Sequence, residues 1–137
     1  DRSEADVTAA IEEMEREGVI VKYTAIVNGE RLADEVVQAL IEVKVSPQKS
    51  NGFDAIAEEI YRFDEVKSCY LMSGGYDLAV FIEGKTLREV ARFVSERLST
   101  LDDVLSTSTH FILKKYKIEG VITDREDDNR LRISVHA

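Results

Sequence analysis

YLMSGGYDLAV, residues 70–80, places Gly74, Gly75 and Asp77 between two strand-like runs in a chain that uses Gly only seven times. Read as a β-hairpin, it joins a strand over 66–72 to one over 77–83 through Ser73-Gly74-Gly75-Tyr76. One glycine serves such a turn, because Gly reaches positive φ at little steric cost. The second glycine and the acid ask for a further reason.

Working outward from this hairpin, Thr86 is placed to cap a helix in which Leu87, Val90, Ala91, Val94 and Leu98 make one stripe. LSTSTHFILKKYK, 105–117, reads as the last strong strand. On the other side, VQALIEVKVSP, 37–47, alternates Ala39, Ile41, Val43 and Val45 with Gln38, Leu40, Glu42 and Lys44, and Pro47 ends it. Asn51 can cap a helix that keeps Phe53, Ile56, Ala57 and Ile60 at the 3.6 period. The order from Gln38 to Lys117 is therefore β-α-β-β-α-β. That is the ferredoxin-like pattern of the α+β class, an antiparallel four-stranded sheet with both helices on one face.

The strands also carry apolar residues on both parities. Leu40, Leu71, Phe81 and Ile112 oppose neighbours that are themselves apolar, such as Ile41, Met72, Val80, Phe111 and Leu113. Two helices cover one face, and a sheet wet on the other should alternate cleanly. A second subunit is therefore expected on the far face; the alternative is that these residues are singly exposed, which is common.

Upstream, Val7, Ala10, Ile11 and Met14 form the stripe of a helix over 3–17, and Gly18 supplies its stop. VIVKYTAIVNG, 19–29, reads as a strand closed by Asn28-Gly29, followed by a polar connector over 30–36. Residues 118–137 form a charged tail whose ending, LRISVHA, is a candidate edge strand.

A hydrophobic share of 44% beside 33% charged residues fits one soluble globular domain. No apolar run approaches the roughly 18 residues that span a bilayer. The single Cys, Cys69, excludes an internal disulfide and a thiolate zinc site, which makes a reducing cytoplasm the expected compartment. A net charge of −9, from 27 acids and 18 bases, argues against strong nucleic-acid binding by this stretch alone.

Chemistry is thinly marked. Backbone N–H groups around Gly74-Gly75 could form a concavity for a carboxylate or phosphate, with Asp77 meeting an ammonium group; a plain turn with an exposed acid is the simpler local account. Thr107 and Thr109 share one face of their strand, and Ser108 and His110 the other. These hydroxyls suit a small polar ligand, although Thr is also simply a good strand former. His110 has no acid or nucleophile at a diagnostic spacing, and His136 lies in the tail. Nothing near Cys69 in sequence would activate its thiol. No metal, cofactor or catalytic motif is present, so the chain reads as a non-enzyme.

The combination resembles the Lrp/AsnC (feast/famine) family of transcriptional regulators. IEEMEREGVIVKYTAIVN, 11–28, looks like the family's passage from the recognition helix of a helix-turn-helix into a linking strand. ALIEVKVSP, YLMSGGYDLAV and LSTSTHFILKKYK resemble strands of its ligand-binding (RAM, regulation of amino acid metabolism) domain. The resemblance implies a recognition-helix remnant over 1–18, a linking strand and connector over 19–36, a RAM effector-binding and oligomerisation domain over 37–117, and the tail. It implies a dimeric α+β barrel, homodimers that assemble into tetramers or octamers, an amino acid or related metabolite as effector, and DNA as partner of the full-length protein.

The family's Gly-x-x-Asp hairpin is matched by Gly74 and Asp77. The implied effector site comprises Met72, Ser73, Gly74, Gly75, Tyr76, Asp77, Thr107, Thr109 and His110, and the implied DNA contacts are Ser3, Asp6 and Thr8. Relatives carry two helices ahead of the recognition helix, and often Arg or Lys where Thr8, Ala9 and Ala10 stand here. A truncated DNA-binding domain is therefore expected rather than a natively short one. The rival readings are a small enzyme on the same barrel, with His110 or Asp77 as its acid–base group, and a stand-alone RAM protein.

Overall fold

A computed structural model describes residues 1–33, 35–46 and 52–124. In chain order the elements are helix α1 (Glu4–Arg16), a 3-10 turn (Gly29–Arg31), strand β1 (Val37–Val45), helix α2 (Gly52–Tyr61), strands β2 (Val66–Leu71) and β3 (Leu78–Gly84), helix α3 (Leu87–Phe93) with a π-helical last turn (Val94–Leu98), strand β4 (Val104–Phe111), and a short pair β5 (Lys117–Ile118) and β6 (Val121–Ile122). The expected β-α-β-β-α-β order is present. Its strands form an antiparallel sheet in the spatial order β2-β3-β1-β4, the ferredoxin-like arrangement. Pro47, the Asn51 cap and the LRISVHA ending lie outside the described residues.

The core is the helix-facing side of this sheet. Ala39, Ile41, Val43 and Val45 of β1 are buried with Leu78, Val80 and Ile82 of β3, and Ile56, Ile60, Val90, Phe93, Val94 and Leu98 close over them. Each fully buried aliphatic side chain of this size contributes about 1.5–3 kcal/mol. Thr86 caps α3 as expected, its hydroxyl accepting from the Glu89 N–H at 3.0 Å. The stripe of that helix differs from the expected one: Leu87 and Ala91 are exposed, and Phe93 is buried instead. Val90, Phe93 and Val94 form an ordinary i, i+3, i+4 stripe that is rotated from the expected one, and the widened last turn, in which the Ser99 N–H reaches back five residues to the Val94 carbonyl, follows it.

Directly opposed residues of an antiparallel pair share a face, so the register fixes what lies on the open side. Leu40 stands between Phe81 and His110, and Glu42 between Ala79 and Ser108; Lys44 faces Ser106. Leu71 is a correction: it pairs with Leu78 and so belongs to the helix side, because the β2–β3 register slips between Val66 and Ser68. Tyr70 takes its place on the open face, edge-on to Phe81 with ring centroids 6.1 Å apart. The open face is thus divided into an apolar half, Tyr70, Ala79, Phe81 and Leu40, and a polar half on β1 and β4.

α1 is closed at its C-terminus by Gly18, whose φ of +73° and bonds from Gly18 N–H to Glu15 O and Val19 N–H to Met14 O make a Schellman motif. None of its residues is buried. The expected strand over 19–29 has no ladder partner among the described residues, and Val19, Val21 and Tyr23 are exposed. A strand needs a neighbour for its N–H and C=O groups, and this segment finds none among the described residues. Asn28 does make the expected turn: its carboxamide oxygen accepts from Glu30 N–H at 3.2 Å and its nitrogen donates to the Thr123 carbonyl at 3.0 Å. The expected strand over 105–117 ends at Phe111, and 117–122 folds into a hairpin of its own. Glu119 and Gly120, both at positive φ, form its two-residue turn.

Candidate functional site

Residues 72–77 connect β2 to β3 at the end of the sheet where β1 finishes. Gly74 sits at φ +139°, a conformation that L side chains rarely adopt. This accounts for one glycine of the pair. Gly75 is different: its φ is not positive, and a Cβ built there would meet nothing within 4 Å. Neither backbone strain nor a close neighbour among the described residues requires glycine at that position.

What Gly75 faces is a cleft of about 350 Å³, bordered by Glu42, Lys44, Gly75, Tyr76, Ser106, Thr107 and Ser108. The β1–β4 register assembles it, setting Glu42 beside Ser108 and Lys44 beside Ser106 on the open face. Of the residues expected at the site, Gly75, Tyr76 and Thr107 border the cleft. Met72, Ser73, Gly74 and Asp77 flank it along the turn, and Thr109 lies on the helix-facing parity. Thr107 points its hydroxyl toward the helix layer, 3.1 Å from that of Ser99. Glu42, Lys44 and Ser106 went unnoticed as site residues in the sequence, and Ser108 stood out only as one of the strand hydroxyls suited to a small polar ligand. Their shared parity was legible, but their partnership depends on a register between strands some sixty positions apart.

Asp77 has a local duty. Its N–H donates to the Val43 carbonyl at 3.0 Å, its carbonyl accepts from Met72 N–H at 2.8 Å, and its carboxylate Oδ2 accepts from Val45 N–H at 2.9 Å. That last bond falls where the β1–β4 register shifts between Lys44 and Val45, so the side chain satisfies an N–H at an irregularity of the ladder.

His110 Nε2 lies 3.2 Å from Glu42 Oε2 and 3.3 Å from Ser108 Oγ. Both partners use the same ring nitrogen. A hydroxyl-activating relay needs the base on one nitrogen and its orienting acid on the other, so this cluster lacks that geometry. Cys69 is half-buried, and burial pushes its thiol up from the ordinary range, away from the thiolate that reactivity requires. Among the described residues no cluster of His, Cys, Asp and Glu could hold a metal ion.

On α1, Ser3 and Asp6 form a reciprocal capping box, with Asp6 N–H donating to Ser3 Oγ at 3.2 Å and Ser3 N–H to Asp6 Oδ2 at 3.4 Å. Thr8 donates its hydroxyl to the Glu4 carbonyl at 2.9 Å. The three expected DNA contacts are exposed and each has a bond within the helix. No helix among the described residues is long and apolar enough to cross a membrane.

A second hollow, of about 620 Å³, lies where the connector crosses the far end of the sheet, lined by Val27, Leu32, Val36, Leu87, Phe111 and Ile112 among others. It gathers none of the expected effector residues.

Residues 38–122 match the family described as Lrp/AsnC ligand binding domain. The chain is 52% identical over 126 residues to the HTH-type transcriptional regulator YugG of Bacillus subtilis, covering 91% of this chain and 76% of that one. It is 26% identical over 105 residues to the proline dehydrogenase transcriptional activator of Rhizobium radiobacter, covering 77% and 67% respectively. Among solved structures, AsnC of Escherichia coli superposes with a TM-score of 0.67 at 19% identity, over 85% of this chain and 76% of that one. A transcriptional regulator of Neisseria meningitidis in complex with L-methionine gives 0.69 at 22%, over 88% and 77%. The fold, the order of its signature strands and the match across the sheet lead to one conclusion: this chain belongs to the Lrp/AsnC family of transcriptional regulators, and residues 38–122 are its ligand-binding domain.

Proposed function

We propose that this chain is the effector-sensing and oligomerisation part of a DNA-binding regulator that works in the cytoplasm and responds to a free amino acid or a related small metabolite. The observation that carries the reading is the cleft beside the Gly74-Gly75 turn. It places an acid, a base, hydroxyls and an uncovered stretch of backbone together inside the ligand-binding domain. Solved relatives of the same fold from Neisseria meningitidis and Mycobacterium tuberculosis hold L-methionine, which supports an amino acid as the ligand class.

In this reading the apolar half of the open face, Tyr70, Phe81 and Leu40, seats a second copy, and dimers then associate into tetramers or octamers. Residues 1–18 contribute to a DNA-binding unit, whose remaining helices would cover the half-exposed stripe of Ala10, Ile11 and Met14. The effector acts by linkage: it shifts the assembly only as far as it binds one association state more tightly than another. No step calls for catalysis.

Sedimentation velocity with and without a pooled set of common amino acids at millimolar concentration tests the proposal. A dimer or larger species whose distribution moves with the pool is expected. A monomer indifferent to every amino acid would overturn it.

A further inference from the structure

The segment that joins α1 to the ligand-binding domain is fastened at one point. Among the described residues, 19–33 form no ladder and no ion pair with that domain. Their one hydrogen bond to it runs from Asn28 Nδ2 to the Thr123 carbonyl at 3.0 Å, partly buried and spanning 95 positions of chain. Apolar packing adds little. Val27, Leu32 and Val36 border the hollow at the far end of the sheet, yet each is more than half exposed.

Both ends of this bond are oriented before they meet. The Asn28 oxygen accepts from Glu30 N–H at 3.2 Å at the start of the 3-10 turn, which aims the amide nitrogen away from it. Thr123 is engaged at every hydrogen-bonding atom: its N–H donates to the Tyr116 carbonyl at 3.0 Å and its hydroxyl to the Lys115 carbonyl at 2.6 Å, while its own carbonyl receives Asn28. Asp124 then pairs with Lys114, whose ammonium lies 5.2 Å from the Tyr116 ring. The β5–β6 hairpin therefore presents its acceptor at a fixed position, so little ordering entropy opposes the bond.

We infer that the C-terminal hairpin is a clasp on the connector, and that the bond between Asn28 and Thr123 sets how much chain is free between α1 and the ligand-binding domain. With the clasp closed, the free link is 19–27; with it open, the link runs on to 36, just before β1. Its length doubles. The greatest reach of the link then grows from about 30 Å to about 60 Å. The effective concentration of one end at the other falls with roughly the −3/2 power of length, so α1 meets the domain about threefold less often. The clasp is separate from the effector cleft, which neither Asn28 nor Thr123 borders.

Limited digestion of the whole chain with trypsin, followed by mass spectrometry, reads the clasp. Lys22 lies in the free link and Arg31 beyond the fastened point, and both are exposed. Asn28→Asp keeps an oxygen for the Glu30 N–H and loses the donor to Thr123, whereas Thr123→Val removes the hydroxyl bond that steadies the acceptor. Cleavage after Arg31 follows the population of the open form and should rise about 2- to 10-fold in Asn28→Asp, the scale of one hydrogen bond, and by a smaller factor in Thr123→Val. Cleavage after Lys22 should stay at the parent rate in both. Hydrogen exchange supplies the reciprocal reading: Asn28→Asp should also loosen 116–123, because one bond holds both segments, and should leave 39–45 and 78–84 unchanged. Cleavage of the parent after Arg31 as fast as after Lys22, or an Arg31 rate that Asn28→Asp does not move, would overturn the clasp, and neither outcome touches the sensor reading.

Discussion

The Asp77 carboxylate accepts a hydrogen bond from the backbone N–H of Val45 at 2.9 Å, tying the turn after β2 to the end of β1. The acid that stood out in the sequence as a candidate ligand group thus holds the rim of the cleft in place. Asp77→Ala leaves a partly buried N–H without its partner and should cost about 1–3 kcal/mol by denaturant titration. Asp77→Asn keeps a carbonyl oxygen at that position and should cost less. Equal stability of all three proteins would show that water replaces the bond at no cost.

The two glycines of the turn should separate cleanly. Gly74→Ala forces a Cβ onto φ +139° and should lower stability by about 1–3 kcal/mol. Gly75→Ala meets open space and should leave the melting temperature nearly unchanged while weakening effector binding, because the added methyl enters the cleft. Melting curves and calorimetry on the same pair of variants check both halves.

Ile60 and Leu98 are fully buried, on α2 and on the π turn that follows α3, and both belong to the single core beneath the sheet. Truncating either to Ala should cost about 2–5 kcal/mol from lost transfer energy and the cavity left behind. A loss below 1 kcal/mol would mean that the helix layer collapses to refill the site.

Phe81 lies on the open face beside Leu40 and Tyr70, away from that core. Phe81→Asp should leave the monomer folded, as judged by far-UV circular dichroism, while placing a charge where the second copy is proposed to sit. Sedimentation velocity should then show the monomer at concentrations where the parent associates. An undiminished dimer would place the interface elsewhere.

Burial raises the Cys69 thiol above its ordinary value, so the folded state holds this proton more firmly than the unfolded one. The sign follows from linkage. Below the unfolded thiol's pKa, about 8.5, both states are protonated and stability is unaffected; above it the unfolded chain ionises first and stability falls as pH rises. Cys69→Ala should flatten the decline above about pH 8.5, seen as a smaller drop in melting temperature as pH rises. Reaction of the native thiol with iodoacetamide at neutral pH should also be slower than that of a free thiol.

Much of this fold was legible along the chain. The alternation through Ala39, Ile41, Val43 and Val45, the Ile56–Ile60 stripe, the Thr86 cap and the Gly74 turn are local patterns, with periods of two and 3.6 that the backbone imposes wherever they occur. They determined the β-α-β-β-α-β order and which side of β1 is buried. Tertiary structure decided how the strands align. The slip that puts Leu71 on the helix side, the pairing that brings Glu42 to Ser108 and Lys44 to Ser106, and the use of the Asp77 carboxylate by Val45 each depend on a register between separate strands. A one-residue shift moves every side chain of a strand to the opposite face, and that choice is made by packing across the whole sheet. The linking segment over 19–29 follows the same logic: its composition favours a strand, but a strand forms only against a partner, and none of the described residues provides one.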